Sequence, residues 1–435
     1  MHGLPTAAPA DVGLCPDRTQ RIVQVLQRDV DRGRLPGAAV LVARHGRVVL
    51  DAAVGRRDPA QDDAMGTDAI FRIYSMTKPI VSVAALMLVE QGRLLLSDPV
   101  GLYVPGFLHQ QVAVPGPHGV ALVPAAQPST VQDLLRHTAG LTYEFTGNGH
   151  VNALYARAGL GSRQQTNAEL CERLAALPLA HQPGTTWAYS RATDVLGRVI
   201  EVVTGQPLGT FLQEAILQPL GMHETGFCVP PAQHHRIAEA FEHDPDGGTQ
   251  MPMHDPREVP ALEMGGGGLM STLHDYARFL QCLCNGGELQ GQRLLSPHTV
   301  AWMTADHLGS TVAHANNPLL PPGHGFGLGF AVRTAAGVSP VPGSVGTYHW
   351  SGIGGTHFFV DPSQALFAIF MAQAPNQRVH YRSLMRGLPP PDDATMRRAA
   401  LRNLARPLSE PSNASITARR SSAATPCSAT ATSTC

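Results

Sequence analysis

Ser75 and Lys78 stand three residues apart in the stretch Phe71-Arg72-Ile73-Tyr74-Ser75-Met76-Thr77-Lys78-Pro79-Ile80. Three positions is just under one helical turn, so both side chains project from the same face. A serine hydroxyl becomes a nucleophile when a base takes its proton, and an amine can do so where its surroundings favour its neutral form. A helical serine beside a solvated lysine has the same spacing, so the pair needs company before it means catalysis. Two later stretches supply it. Pro183-Gly184-Thr185-Thr186-Trp187-Ala188-Tyr189-Ser190-Arg191 brings a tyrosine, and His349-Trp350-Ser351-Gly352-Ile353-Gly354-Gly355-Thr356 reads as a strand ending in glycines. Alone, Tyr189 is a half-buried aromatic beside Trp187, and the glycines suit a bulge or turn.

These residues need elements to hold them. Val81, Ala84, Ala85, Leu86, Leu88 and Val89 continue from Lys78 at helical spacing. Upstream, Thr19 to Gly33 carries Ile22, Val23, Leu26 and Val30 on one helical face. Gly37 to Val54 predicts a hairpin turning at His45-Gly46. The proline-rich residues 104 to 128 read as loop, and helices are predicted at 130–136, 167–177, 194–204 and 273–284. Four strand-like runs, at 327–333, 345–350, 357–360 and 366–371, complete the chain's ordered part. The expected fold is therefore α/β (α+β), an antiparallel sheet from both chain ends flanked by helices. Its boundaries are a discontinuous sheet domain, 1–79 with 226–390, and a mainly helical domain, 80–225. The Ser-, Thr- and Ala-rich stretch 404–435 is expected to be disordered.

Composition narrows the function. A chain of 435 residues with 43% apolar and 15% charged residues can bury a large core. Lys plus Arg at 32 against Asp plus Glu at 33 argues against nucleic acid or an anionic membrane as partner. The N-terminus lacks a basic start followed by an apolar run, and no window predicts a membrane helix. Seven scattered cysteines do not read as a disulfide framework, so a cytoplasmic location is expected. The glycine run 265–268 lacks the lysine of a phosphate loop and reads as close backbone approach. The twenty histidines show no metal-ligand spacing, and neither metal nor cofactor is expected.

The three stretches, in this order, resemble the serine β-lactamase-like superfamily, of class C β-lactamase and D-Ala-D-Ala-peptidase type. Among its branches they most resemble the family VIII carboxylesterases. The phrases Leu134-Leu135-Arg136-His137-Thr138-Ala139-Gly140-Leu141, Pro219-Leu220-Gly221-Met222 and Gly266-Gly267-Gly268-Leu269 extend the resemblance over about residues 15 to 385. The resemblance implies a two-part β-lactamase/transpeptidase-like fold and an acyl-enzyme on Ser75. It implies Lys78 and Tyr189 as the proton-relay partners, and the backbone N–H groups of Ser75 and Ile353 as the oxyanion hole. Trp350, Ser351, Gly352 and Arg191 would contact substrate.

Two departures bear on the substrate. Trp350 stands where the β-lactamases carry a lysine that helps hold the substrate carboxylate. Tryptophan cannot make that charge-assisted bond, so neutral esters are expected over anionic lactams, with β-lactamase activity weak or absent. Arg191 stands where the family usually has asparagine. Turned inward it would bring a second cation near Lys78 and could replace the lost carboxylate anchor; turned outward it would be solvated. The expected function is a carboxylesterase acting on small-molecule esters. Its alternatives are a β-lactamase or D,D-peptidase, an acyltransferase, and an inactive binding homologue. Oligomeric state is left open.

Overall fold

Helix α1 (Pro16–Asp31) packs Ile22 and Leu26 inward, and the chain then turns back through the hairpin β1 (Gly37–Arg44) and β2 (Arg47–Asp58). Between the strands, His45 and Gly46 take φ of 52° and 74°. Two left-handed residues in succession match the right-handed twist of the flanking strands. The computed structural model describes residues 3–387, apart from 118, 315, 316 and 318. A short β3 (Asp63–Ala64) and β4 (Ile70–Arg72) lead to a single 3-10 turn, Tyr74–Met76, and to helix α2 (Thr77–Glu90). Ile80, Val81, Val83, Ala84, Ala85, Leu86 and Leu88 are all buried. A helix apolar on every side belongs in the middle of a domain, and α2 lies within the larger hydrophobic core. Pro79 sits in its first turn, where a missing N–H costs nothing.

Residues 104–128 are not the loop expected. Within them β5 (Gln111–Gly116) pairs with β6 (Gly119–Pro124), Val112 opposite Val123 and Val114 opposite Ala121. Pro124 closes β6, and Pro115 lies past Gln111 and Ala113, which bond Leu179 on the outer edge of β5. The helices α3 (Val131–Leu135), α4 (His150–Arg157), α5 (Asn167–Ala175), α6 (Ala192–Thr204) and α7 (Leu208–Leu212) follow. Thr130 starts α3 with a reciprocal cap: its hydroxyl accepts from the Asp133 N–H at 3.2 Å, and the Asp133 carboxylate accepts its N–H at 3.0 Å.

Strand β7 (Met270–Thr272) pairs with β4, and Thr272 caps helix α8 (Leu273–Cys284). A small hairpin, β8 (Glu288–Leu289) with β9 (Gln292–Arg293), precedes helix α9 (Pro297–Met303). The chain then lays down β10 (His324–Phe326), β11 (Ala331–Arg333), β12 (Tyr348–Ser351), β13 (His357–Asp361) and β14 (Leu366–Ala372), followed by α10 (Arg378–Arg386).

Eight strands form one sheet in the order β10-β11-β12-β13-β14-β1-β2-β3, antiparallel throughout. The first hairpin thus meets the last strand, Val40 opposite Phe370. Alternation along β1 serves two cores. Ala38, Val40 and Val42 join Leu26, Phe370, Tyr381 and Met385 under α1 and α10. Ala39, Leu41 and Ala43 join Ile369, Met371 and Leu280 on the α2 and α8 side. Both faces are covered, so β1 is buried along its whole length. This mixed α/β architecture, a large antiparallel sheet from both chain ends with helices, is the one expected.

All described residues fall in one compact unit, 1–391. The tail expected to be disordered, 404–435, lies outside the described residues. The five cysteines among the described residues are free thiols. No helix there is long and apolar enough to cross a membrane.

Candidate active site

Ser75 sits in the 3-10 turn between β4 and α2, and Tyr74 before it has a φ of 44°. A bulky residue in the left-handed region is strained by about 1–3 kcal/mol, so neighbouring structure must hold it there. It is held from several sides. Ile73 N–H donates to Leu269 O at 3.1 Å, Leu269 N–H donates to the Thr77 hydroxyl at 3.1 Å, and Tyr276 Oη donates to Met76 O at 2.9 Å. The segment after the glycine run and helix α8 therefore clamp the turn that presents Ser75.

Tyr189 Oη donates to Ser75 Oγ at 2.5 Å, and Lys78 Nζ lies 3.4 Å from the same oxygen. Lys78 is 1% exposed. Its ammonium also donates to Gly266 O at 2.6 Å and to Tyr143 Oη at 3.0 Å, and lies 4.6 Å from the Tyr189 ring centroid. An ammonium removed from water must have its protons satisfied, and this one has three acceptors. Position 266 admits only glycine at this approach. A Cβ there would fall 2.7 Å from Asp194 Oδ1 and 2.9 Å from Tyr143 Oη. The glycine run is thus a place of close backbone contact.

Tyr143 was not singled out by sequence reasoning. It lies two residues beyond the phrase ending at Leu141, and nothing in its spacing marks it. Burial first, and then Asp194, holds its phenol well above the usual value, so it stays neutral and can accept from Lys78. Tyr189 is set by its neighbours' rings. His137 lies 4.9 Å from it and Trp350 5.2 Å, centroid to centroid. Burial and then Lys78 keep His137 well below its ordinary value, hence neutral.

Arg191 turns inward and is 2% exposed. Its Nη2 meets Glu144 Oε1 at 2.5 Å, its Nε meets Glu144 Oε2 at 3.1 Å, and its Nη1 meets Asp194 Oδ2 at 3.4 Å. Burial works against its charge, but Asp194 and Glu144 outweigh that and hold the guanidinium above its usual value. It does not line the cavity described below. Arg191→Ala is expected to cost about 3–5 kcal/mol by stranding Asp194 and Glu144 without their cation. Urea unfolding checks this, and a loss under about 1 kcal/mol would show that the buried pairs contribute little.

The third stretch closes the site. Gly352 N–H donates to Thr356 O at 2.9 Å, and Thr356 Oγ1 donates to Ile73 O at 3.2 Å. A Cβ on Gly352 would collide with Ile73 O. The end of β12 is thereby drawn against the Ser75 turn, and Ile353 and Ser75 line one cavity of about 1460 Å³. Tyr189, Trp350 and Ser351 line it too, with Val120, Phe145 and Val379 as apolar wall. Ser351 Oγ lies 3.1 Å from His357 Nδ1. The structure thus brings Ser75, Lys78 and Tyr189 into contact and places Trp350, Ser351 and Ile353 at the same cavity. It places Arg191 with Glu144 and Asp194.

A family model described as Beta-lactamase matches residues 22–384. Protein Rv1367c of Mycobacterium tuberculosis is 36% identical over 353 residues, covering 79% of this chain and 87% of its own. Esterase EstB of Burkholderia gladioli is 33% identical over 376 residues, covering 81% of this chain and 89% of its own. Among solved structures, EstCE1, described as a hydrolase with promiscuous acyltransferase activity, aligns with a TM-score of 0.72 at 28% identity. That alignment covers 86% of this chain and 98% of EstCE1.

Proposed function

The chain belongs to the β-lactamase family, and from that premise we propose that it is a serine carboxylesterase that hydrolyses small-molecule esters through an acyl-enzyme on Ser75. The observation that carries this reading is the meeting of three side chains at one oxygen: Ser75 Oγ with Tyr189 Oη at 2.5 Å and Lys78 Nζ at 3.4 Å. In the proposed cycle Tyr189 first gives up its phenol proton to solvent, and the resulting phenolate takes the Ser75 proton as Oγ attacks the ester carbonyl. Negative charge then builds on the carbonyl oxygen, where the backbone N–H groups of Ser75 and Ile353 receive it. The Lys78 ammonium, shielded from water, offsets charge on the attacking oxygen. Tyr189 returns the proton to the departing alcohol. Water then attacks the acyl carbon and gives its proton to the Tyr189 phenolate, which passes it to Ser75 Oγ as the acyl bond breaks and the carboxylic acid leaves.

Esterase EstB, at 33% identity, supports esters as the substrate class. Trp350 in place of the lysine supports esters over lactams. The likeness to EstCE1, a hydrolase with promiscuous acyltransferase activity, favours a second reading of the same acyl-enzyme, its transfer to an alcohol.

A fluorophosphonate probe tests the first step. It is expected to lose fluoride and add one phosphonyl group on the peptide containing Ser75, with ester hydrolysis lost in parallel. Full hydrolysis of p-nitrophenyl butyrate after Ser75 is labelled would overturn the proposal, as would inactivation through another residue. Adding a primary alcohol during turnover reads the second: a new ester detected by mass spectrometry supports transfer, and acid alone excludes it.

A further inference from the structure

Helix α10 carries Arg378, Arg382 and Arg386 at every fourth position, so they stack along one face. All three line the cavity that holds Ser75. Three like charges in such a row repel one another, and taking them partly out of water adds a further cost. A protein ordinarily offsets that with carboxylates. Here none is supplied: among the described residues no aspartate or glutamate lines the cavity, and none of these arginines is in an ion pair.

The partners they do have are neutral and few. Arg378 Nη1 donates to Pro375 O at 2.5 Å, Arg382 Nη2 donates to Gly352 O at 3.2 Å, and Arg386 Nη2 lies 2.7 Å from His324 Nε2. Arg382 Nε is buried with no partner. Beside them on β12 and β13, both ring nitrogens of His349 and the Nε2 of His357 are buried and unpartnered as well. The two imidazoles line the same cavity, 5.9 Å apart. Among the described residues these histidines do not assemble into a metal-ligand set. Unpartnered donors set beside excess positive charge suit an anion.

We infer that this end of the cavity is a carboxylate-binding subsite, formed by Arg382 and Arg386 with His349 and His357, and that the protein's ester substrates carry a carboxylate besides the ester. The inference rests on the serine-esterase reading above and specifies its substrate class. Trp350 by itself pointed to neutral esters; α10 supplies the positive charge that Trp350 lacks. Location supports the link to the reaction. Arg382 bonds the carbonyl of Gly352, the residue before Ile353, so a carboxylate it holds lies within a small molecule's length of Ser75. Two further observations agree. Burial, and then Arg378, pushes the Arg382 guanidinium down to about 10. Burial, then Arg333 and Arg382, does the same to Arg386, also to about 10. Both groups are still cations at neutral pH, and a bound anion would relieve them.

The test compares p-nitrophenyl valerate with mono-p-nitrophenyl glutarate, and phenyl butyrate with 3-(butyryloxy)benzoate. Each pair matches a neutral ester with one bearing a carboxylate, on the acyl side and the alcohol side respectively. In the wild type, at least one anionic ester is expected to exceed its neutral partner by ten-fold or more in kcat/KM. In Arg386→Gln that preference is expected to fall by at least ten-fold, and Arg386→Lys, which keeps a charge, should restore part of it. Turnover of the neutral partner shows that each variant is folded. Free glutarate, added to the wild type, should compete with phenyl butyrate where uncharged glutaramide does not. Equal turnover of neutral and anionic esters would overturn the subsite and leave the esterase intact. A preference unchanged in Arg386→Gln would also overturn it. Failure to hydrolyse any of the four esters, with Ser75 present, would overturn the esterase reading itself.

Discussion

Ser75→Ala is expected to lower kcat/KM for p-nitrophenyl butyrate by roughly four to six orders of magnitude while the fold stays intact. The large effect follows from the absence of a substitute nucleophile at the same place. The side chain removed is the one oxygen at which Tyr189 and Lys78 meet, at 2.5 and 3.4 Å. Stability should change little, within about 1 kcal/mol, because the substitution removes one half-buried hydroxyl. Lys78 keeps two of its three acceptors, Gly266 O and Tyr143 Oη. The measurement is therefore paired: hydrolysis by absorbance and unfolding by temperature. Activity lost together with the melting transition would signify a folding defect. Activity retained would place the nucleophile elsewhere.

Tyr189→Phe should reduce kcat by about two to four orders of magnitude, the usual range for losing a group that moves a proton in the rate-determining step. KM should be nearly unchanged. The substitution removes one oxygen and leaves a ring that still packs against Trp350, His137 and Trp187, with centroids at 5.2, 4.9 and 6.4 Å. The cavity keeps its shape, so substrate binding is spared while the proton loses its acceptor. A drop of less than about three-fold would refute the role given to Tyr189 and leave Lys78 as the base. An increase in KM with kcat preserved would make Tyr189 a wall of the cavity and nothing more.

The Ser75 segment and most of the sheet could be read from the chain because their signals are local, but the run expected as one strand at 327–333 holds the connection between β10 and β11. Ser75 and Lys78 are one turn apart, the apolar run after them is unbroken, and His45-Gly46 marks a turn between two apolar runs. The hairpin at 111–124 was hidden because prolines at 115 and 124 suggest loop, and only the pairing shows that they fall where a ribbon tolerates them. The direction of Arg191 was equally hidden. It is decided by Glu144, 47 positions away, and by Asp194 at the start of its own helix. Tyr143 reaches Lys78 across 65 positions and could not be found by spacing. The arginines of α10 were different: their four-residue period stood in the sequence. What was missing was the knowledge that this face looks into a cavity without carboxylates.

The pairing of β1 with β14 has a consequence for how the molecule comes into being. Arg44, the last residue of β1, and Gln364, just before β14, share hydrogen bonds although they are 320 positions apart. Contacts so distant along the chain form late, since a very large loop must close before they return any free energy. During synthesis on the ribosome, the Ser75 segment emerges long before Gly352 and Ile353 exist. The serine proposed as nucleophile would therefore stay unarmed until residues 352 and 353 have been made and the sheet has closed.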